Sequence, residues 1–318
     1  MRLRCALLDD FQDVATGIVD WSPLADDVEL VPFTTHFPDE DTLAAALADF
    51  DIVVTLRERV PFPASLLARL KLLVASGMRN SVIDYAAAEA HGVTVCGTAS
   101  SSTPPVELTW ALLLGLGLAR GIVEESQALR TGGPWQSTVG ADLHGRRLGL
   151  LGLGRIGSRV AQVGLAFGMR VTAWSQNLTK EYADEVGVHL AAGKEELLAD
   201  SDFVSVHLAL SDRTRGLLGA PELALLKPTA YLINTSRAAI VDQDALLAAL
   251  HEGRIAGAGV DVFDVEPLPA DHPMRTAPRL LATPHLGYVS QANYRTYYGQ
   301  AVENIQAYLA GSPVRRLP

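Results

Sequence analysis

Two kinds of apolar pattern alternate along this chain. Short, nearly continuous apolar runs fall at 4–8, 29–33, 51–55, 71–75 and 93–95, and again at 148–151, 170–174, 203–208, 230–234, 257–263 and 280–283. Between them lie stretches with helical spacing, such as 41–48 and 82–90. Runs without polar alternation suit strands buried on both faces, and strands separated by helices suit parallel sheets. The pattern therefore predicts an α/β fold with two doubly wound parallel-sheet domains. A Ser/Thr/Pro-rich break at 97–105 reads as a linker into a long helix over 106–120, and a last amphipathic helix over 290–310 carries Tyr294, Tyr297, Tyr298, Ile305 and Tyr308. If that helix crosses back, the first domain takes 1–100 plus 289–318 and the second, larger one 101–288.

The strongest local signal lies in the second series, where the run ending at Leu151 breaks into Gly152-Leu153-Gly154-Arg155-Ile156-Gly157 and resumes at helical spacing through Val160, Ala161, Val163 and Phe167. In such a turn the first glycine makes the bend, the second lets a pyrophosphate approach the backbone, and the third lets helix and strand pack closely. The same spacing of two glycines at Gly115 and Gly117 lacks this context. With a strand pattern before the motif and another at 170–174 after it, the turn makes the larger domain, 101–288, a Rossmann dinucleotide-binding domain and predicts NAD or NADP as cofactor.

Composition narrows the partners. The chain has 318 residues, 48% of them hydrophobic and 19% charged, enough for two cores. Its net charge of −10 disfavours broad contact with nucleic acid or an anionic membrane. Cys5 and Cys96 are the only cysteines, and no Cys/His cluster has metal-ligand spacing, so no metal is expected and a reducing, cytoplasmic setting is. The opening residues run directly into a strand pattern rather than a secretory signal, and the apolar stretch 108–119 falls short of the roughly 20 residues of a membrane span.

Three polar residues follow strand patterns in the second series: Arg237 after 232–236, Glu266 after 260–265 and His285 after 282–284. The carboxyl ends of parallel strands converge on one crevice, where a cation, a carboxylate and an imidazole make a coherent set. Arg holds a carboxylate with two parallel hydrogen bonds, His exchanges a proton with a carbonyl or hydroxyl oxygen, and Glu beside it stabilises the imidazolium. His36, His91, His144, His189, His251 and His272 have no such setting and are read as surface or core residues, and Arg57-Glu58-Arg59 as a solvated loop in preference to a second substrate clamp, with Arg57 facing the cleft as the alternative.

Four segments in order, Gly152 to Gly157, Ile233-Asn234-Thr235-Ser236-Arg237, Gly259-Val260-Asp261-Val262-Phe263 with Glu266-Pro267, and Thr283-Pro284-His285-Leu286-Gly287, resemble the D-isomer-specific 2-hydroxyacid dehydrogenases, which include phosphoglycerate dehydrogenases and glyoxylate/hydroxypyruvate reductases. The resemblance covers nearly the whole chain and implies that 1–100 plus 289–318 is the substrate-binding domain. It implies hydride transfer between NAD(P)H and a small 2-oxo acid to give a D-2-hydroxy acid, with Arg237 on the substrate carboxylate, His285 as acid/base and Glu266 as its partner. It places Gly152, Gly154, Arg155, Ile156, Gly157, Thr235, His207 and Thr214 along the cofactor, Asp261 on its nicotinamide side, and Ser76-Gly77-Met78-Arg79 as the substrate loop, whose backbone N–H groups receive the carboxylate. It also implies a homodimer, formed through the long helix and the Trp135-bearing connection.

The departures are informative. Trp174-Ser175-Gln176-Asn177 stands where NAD-binding members place an Asp, and loss of that carboxylate removes its repulsion of a 2′-phosphate. Ser175, Gln176 and Asn177 can donate to phosphate, so the expected cofactor is NADP or both, with no Arg following at once and Lys180 some way along the chain. Two alternatives share this fold. A formate dehydrogenase-like enzyme typically has Gln where this chain has Glu266, and a nucleotide-binding corepressor would bind partners rather than turn over substrate.

Overall fold

A computed structural model describes residues 2–116, 122–137 and 139–318 as two compact units. The first comprises Met1–Ser101 with Val289–Pro318, and the second Ser102–Tyr288. The end of the long helix expected over 106–120 runs into 117–121, outside the described residues. What precedes it is a helix over Thr103–Gly115, and a separate helix covers Ile122–Arg130.

The first unit holds β1 (Leu3–Leu7), β2 (Val28–Pro32), β3 (Ile52–Thr55), β4 (Leu72–Ala75) and β5 (Thr94–Gly97), all parallel in the order β2-β1-β3-β4-β5. Every residue of β3 and β4 is buried, which explains their unbroken apolar runs. Asp39, Asp84 and Ser290 start their helices by accepting a backbone N–H of the first turn. The helix Gln291–Leu309 packs within this unit: Tyr297 and Tyr298 are buried, and the Tyr298 ring lies 6.2 Å from that of Trp21. The tail then adds an antiparallel pairing to β5, in which Gly97 N–H donates to Arg315 C=O and Leu317 N–H to Val95 C=O. This covers a sheet edge that would otherwise be open to pairing with another chain.

The second unit holds β6 (Arg147–Leu151), β7 (Arg170–Trp174), β8 (His189–Leu190), β9 (Phe203–Val206), β10 (Tyr231–Asn234), β11 (Gly257–Val260) and β12 (Leu280–Ala282) in one parallel sheet, ordered β12-β11-β10-β9-β6-β7-β8. Side chains alternate across it. Leu151, Val204, Leu232 and Ala258 enter one core, and Leu150, Phe203, Ile233 and Ala173 enter the other. The chain winds from β6 to β8 in one direction and from β9 to β12 in the other, so β6 and β9 flank the switch point at which such sheets bind ligands.

Candidate active site

The glycine-rich turn leaves β6 at this switch point. Gly152 has φ +101°, and a Cβ there would meet the His207 carbonyl oxygen at 2.7 Å, while a Cβ on Gly157 would run into the Gly152 carbonyl. Only glycine fits either position. A Cβ on Gly154, by contrast, would meet nothing within 4 Å, so that stretch of backbone is open to a bound group. The helix Gly157–Ala166 begins without a side-chain cap, and Arg155 is exposed beside it with Ile156 half-buried. Uncapped N–H donors at an open backbone fit a dinucleotide pyrophosphate.

His207, just beyond β9, has Nε2 2.9 Å from Ser205 Oγ and a buried Nδ1 with no hydrogen-bond partner among the described residues. Burial pushes its pKa down to about 4, so the ring is neutral at physiological pH. An orphaned ring nitrogen against the glycine turn is a second feature that a bound dinucleotide would satisfy.

Beyond the C-terminal ends of β7 and β9 lies a cavity of about 300 Å³. Trp174, Leu208, Ala209 and Leu217 supply its apolar lining, and Ser175, Gln176, Asn177, Ser211, Arg213 and Thr214 its polar lining. Thr214 is engaged within its own turn, donating to Ala209 C=O at 2.7 Å and accepting from Ser211 N–H at 2.8 Å. Lys180 is drawn along its own helix to Asp184, with bonds of 2.6 and 2.9 Å. Arg213, absent from the sequence-based set, is the charged residue of this lining. Nothing local marks it, because only folding brings the loop after β9 to the loop after β7.

Arg237, Glu266 and His285 follow the adjacent strands β10, β11 and β12. Asn234 is buried and builds the turn after β10, donating to Arg237 C=O and accepting from Ser236 N–H, while Ser236 Oγ anchors to Val206 C=O. Arg237 is half-buried, with one guanidinium nitrogen 2.9 Å from Ser236 C=O. Thr235 Oγ1 lies 2.8 Å from Thr109 Oγ1 on the helix Thr103–Gly115. His285 Nδ1–H donates to Glu266 Oε2 at 2.5 Å, and the other Glu266 oxygen accepts Phe263 N–H at 3.0 Å. The two side chains are 16% and 17% exposed, a setting in which a charge pair is weakly screened.

His285 has φ +52°, a conformation that costs an L-residue about 1–2 kcal/mol and must be held by its surroundings. Asp261 does the holding. Its carboxylate accepts Thr283 Oγ1–H and Leu286 N–H, each at 2.6 Å, and Gly287 N–H at 2.8 Å. Burial pushes this carboxyl upward, against the hydrogen bonds that favour its charged form. The resemblance puts Asp261 beside the nicotinamide, and the structure adds a task that sequence did not reveal, fixing the segment that carries the imidazole.

In the first unit, the expectation for Ser76, Gly77, Met78 and Arg79 needs correction. Ser76 N–H already donates to Thr55 C=O, and Gly77 N–H to Thr98 Oγ1 at 3.0 Å. Neither is available to a carboxylate, whereas the N–H groups of Met78 and Arg79, both exposed, have no partner among the described residues. Of the two readings of Arg57-Glu58-Arg59, the solvated loop is not what the structure shows. These residues are half-buried, Arg57 N–H donates to Ser76 Oγ at 2.6 Å, and Asn80 Nδ2 donates to Arg57 C=O at 2.9 Å. His36 likewise has a specific partner, Asp9 Oδ1 at 2.9 Å.

Residues 112–287 match the model of the D-isomer specific 2-hydroxyacid dehydrogenase NAD binding domain. The chain is 38% identical over 285 residues to glyoxylate reductase of Aeropyrum pernix, covering 86% of this chain and 84% of that one. It is 38% identical over 248 residues to D-3-phosphoglycerate dehydrogenase of Bacillus subtilis, spanning 77% of this chain but 46% of the longer protein. Among solved structures, a putative D-3-phosphoglycerate dehydrogenase from Ralstonia solanacearum superposes with a TM-score of 0.91 at 36% identity, covering 99% and 96% of the two chains.

Proposed function

The chain belongs to the D-isomer specific 2-hydroxyacid dehydrogenase family, an NAD(P)-dependent oxidoreductase family, and from that premise we propose that its own reaction is reduction of a small 2-oxo acid to the D-2-hydroxy acid, carried by Arg237, Glu266 and His285. The observation that carries this reading is the 2.5 Å pair of His285 and Glu266, which follow β12 and β11, the two strands beside the β10 that Arg237 follows. Arg237 binds the substrate carboxylate and leans on the adjacent carbonyl. A reduced nicotinamide, when bound, supplies the hydride. His285 delivers a proton from Nε2 to the carbonyl oxygen, and Glu266 at Nδ1 stabilises the imidazolium that must be present beforehand. A panel of glyoxylate, hydroxypyruvate, pyruvate, phenylpyruvate and phosphohydroxypyruvate, each assayed with NADH and NADPH, tests the proposal. Turnover of none of them would overturn it.

Glu266→Gln separates the pair from its surroundings. The amide oxygen can still accept Phe263 N–H, but the NH₂ group then faces Nδ1 and favours a neutral ring with its proton on Nε2. Loss of the negative charge at Nδ1 should therefore lower kcat for reduction while KM for the cofactor holds. Full kcat in this variant would remove Glu266 from the mechanism.

Cofactor preference follows from Ser175, which cannot repel a 2′-phosphate as an Asp in that place would. NADPH is expected to be used at least as well as NADH, and Ser175→Asp should shift the kcat/KM ratio towards NADH by about tenfold, the worth of one charged contact. A wild type strongly selective for NADH would refute this preference.

The assembly we propose is a homodimer in a reducing, cytoplasmic compartment. Its support is the exposed apolar group of Ile122, Leu129, Val139 and Trp135, the last 81% exposed, on and after the helix Ile122–Arg130, and the two buried free thiols Cys5 and Cys96. The same connection is tied to its own helix by Ser137, whose N–H and Oγ both donate to Glu125 Oε1. Light scattering at micromolar concentration should give about twice the mass of one chain, and a clean monomer would exclude the dimer.

A further inference from the structure

We propose that Arg213 is the residue that recognises the 2′-phosphate of NADP. This rests on the cofactor reading above and assigns the cation that the sequence near Ser175 lacks. Three observations carry it. Arg213 lines the same cavity as Ser175, Gln176 and Asn177, at the position beyond β7 where the adenosine ribose hydroxyls of a dinucleotide lie. No acidic residue shares that lining. Arg213 forms no ion pair or hydrogen bond among the described residues, although the chain carries a net charge of −10 and Arg147, Arg254 and Arg315 each have a carboxylate partner.

The local architecture accounts for its presentation. Thr214 and Ser211 close a tight turn through Thr214 Oγ1, which bonds Ala209 C=O and Ser211 N–H, and Arg213 stands on that turn. Lys180, the nearest basic residue after Ser175 in sequence, is occupied by Asp184. A guanidinium offers a phosphate two parallel donors, and the hydroxyl and amides of Ser175, Gln176 and Asn177 provide neutral donors around it. Trp174, Leu208 and Leu217 leave an apolar wall for the adenine. The phosphate is thereby bound by a residue from the loop after β9, which explains why the segment after β7 contains no arginine of its own.

The test is binding before turnover. Trp174 lines the cavity, so quenching of tryptophan fluorescence, checked by calorimetry, reads titrations of 2′,5′-ADP and 5′-AMP against wild type, Arg213→Ala and Arg213→Lys. Wild type should bind 2′,5′-ADP more tightly than 5′-AMP. Arg213→Ala should lose about 10- to 100-fold for 2′,5′-ADP with 5′-AMP unchanged, and Arg213→Lys should recover part of the loss. In steady state, KM for NADPH should rise in Arg213→Ala while KM for NADH and both kcat values hold. A wild type that prefers neither 2′,5′-ADP nor NADPH would overturn the cofactor reading and this inference with it. A wild type that prefers NADPH, with a preference untouched in Arg213→Ala, would overturn the role of Arg213 alone. Equal losses for both cofactors would assign Arg213 to the adenine and also overturn it.

Discussion

His285→Ala is expected to lower kcat for 2-oxo acid reduction by about 10²–10⁴-fold, the usual worth of a positioned general acid. Its Nδ1 is held by Glu266 at 2.5 Å, which leaves Nε2 as the nitrogen proposed to face substrate. Alanine removes the proton donor but leaves Asp261 bonded to Thr283, Leu286 and Gly287, so the segment keeps its anchors. KM for the cofactor should change little, because the glycine turn and the cavity beyond β7 lie on other strands of the sheet. Stopped-flow measurement of reduced cofactor consumption separates the two quantities. Wild-type turnover in this variant would show that another group supplies the proton.

Arg237→Lys is expected to raise KM for the 2-oxo acid and lower kcat together, reducing kcat/KM by roughly 30- to 4,000-fold, the equivalent of about 2–5 kcal/mol for a charge pair that loses its partner's geometry while buried. Lysine keeps the charge and loses the planar fork, so it cannot hold both carboxylate oxygens and also bond the Ser236 carbonyl as Arg237 does at 2.9 Å. The turn itself should survive, since Asn234 builds it through the Arg237 and Ser236 backbone rather than through the side chain. Near-normal kcat/KM on every active 2-oxo acid would exclude Arg237 as the carboxylate ligand.

Both effects concern residues that sequence alone singles out, and the reason is local. A parallel strand buried on both faces must be an unbroken apolar run, so a polar side chain directly after it stands at a sheet end. Arg237, Glu266 and His285 are legible in this way, and so is the glycine turn at 152–157, where Gly152 and Gly157 face carbonyls that exclude any Cβ. Strand limits were less legible. Apolar residues continue past the last ladder bond, so the runs ending at Leu208 and Phe263 stop as strands at Val206 and Val260. The two-residue strand His189–Leu190 has no apolar run at all, being exposed at both positions.

Chain-local chemistry is thus enough to establish the α/β class, the parallel sheets, the dinucleotide turn and the three polar residues at strand ends, because each depends on patterns within a few residues. Convergence between distant segments depends on packing, and there sequence is silent. The occupation of the Gly77 N–H by Thr98, the grip of Asp261 on the His285 segment, the tail's pairing along β5 and the arrival of Arg213 beside Ser175 all join residues more than 20 positions apart. A hydrogen-bond donor's availability is a property of what lies within about 3 Å of it, and in this molecule only the folded sheet order brings those partners together.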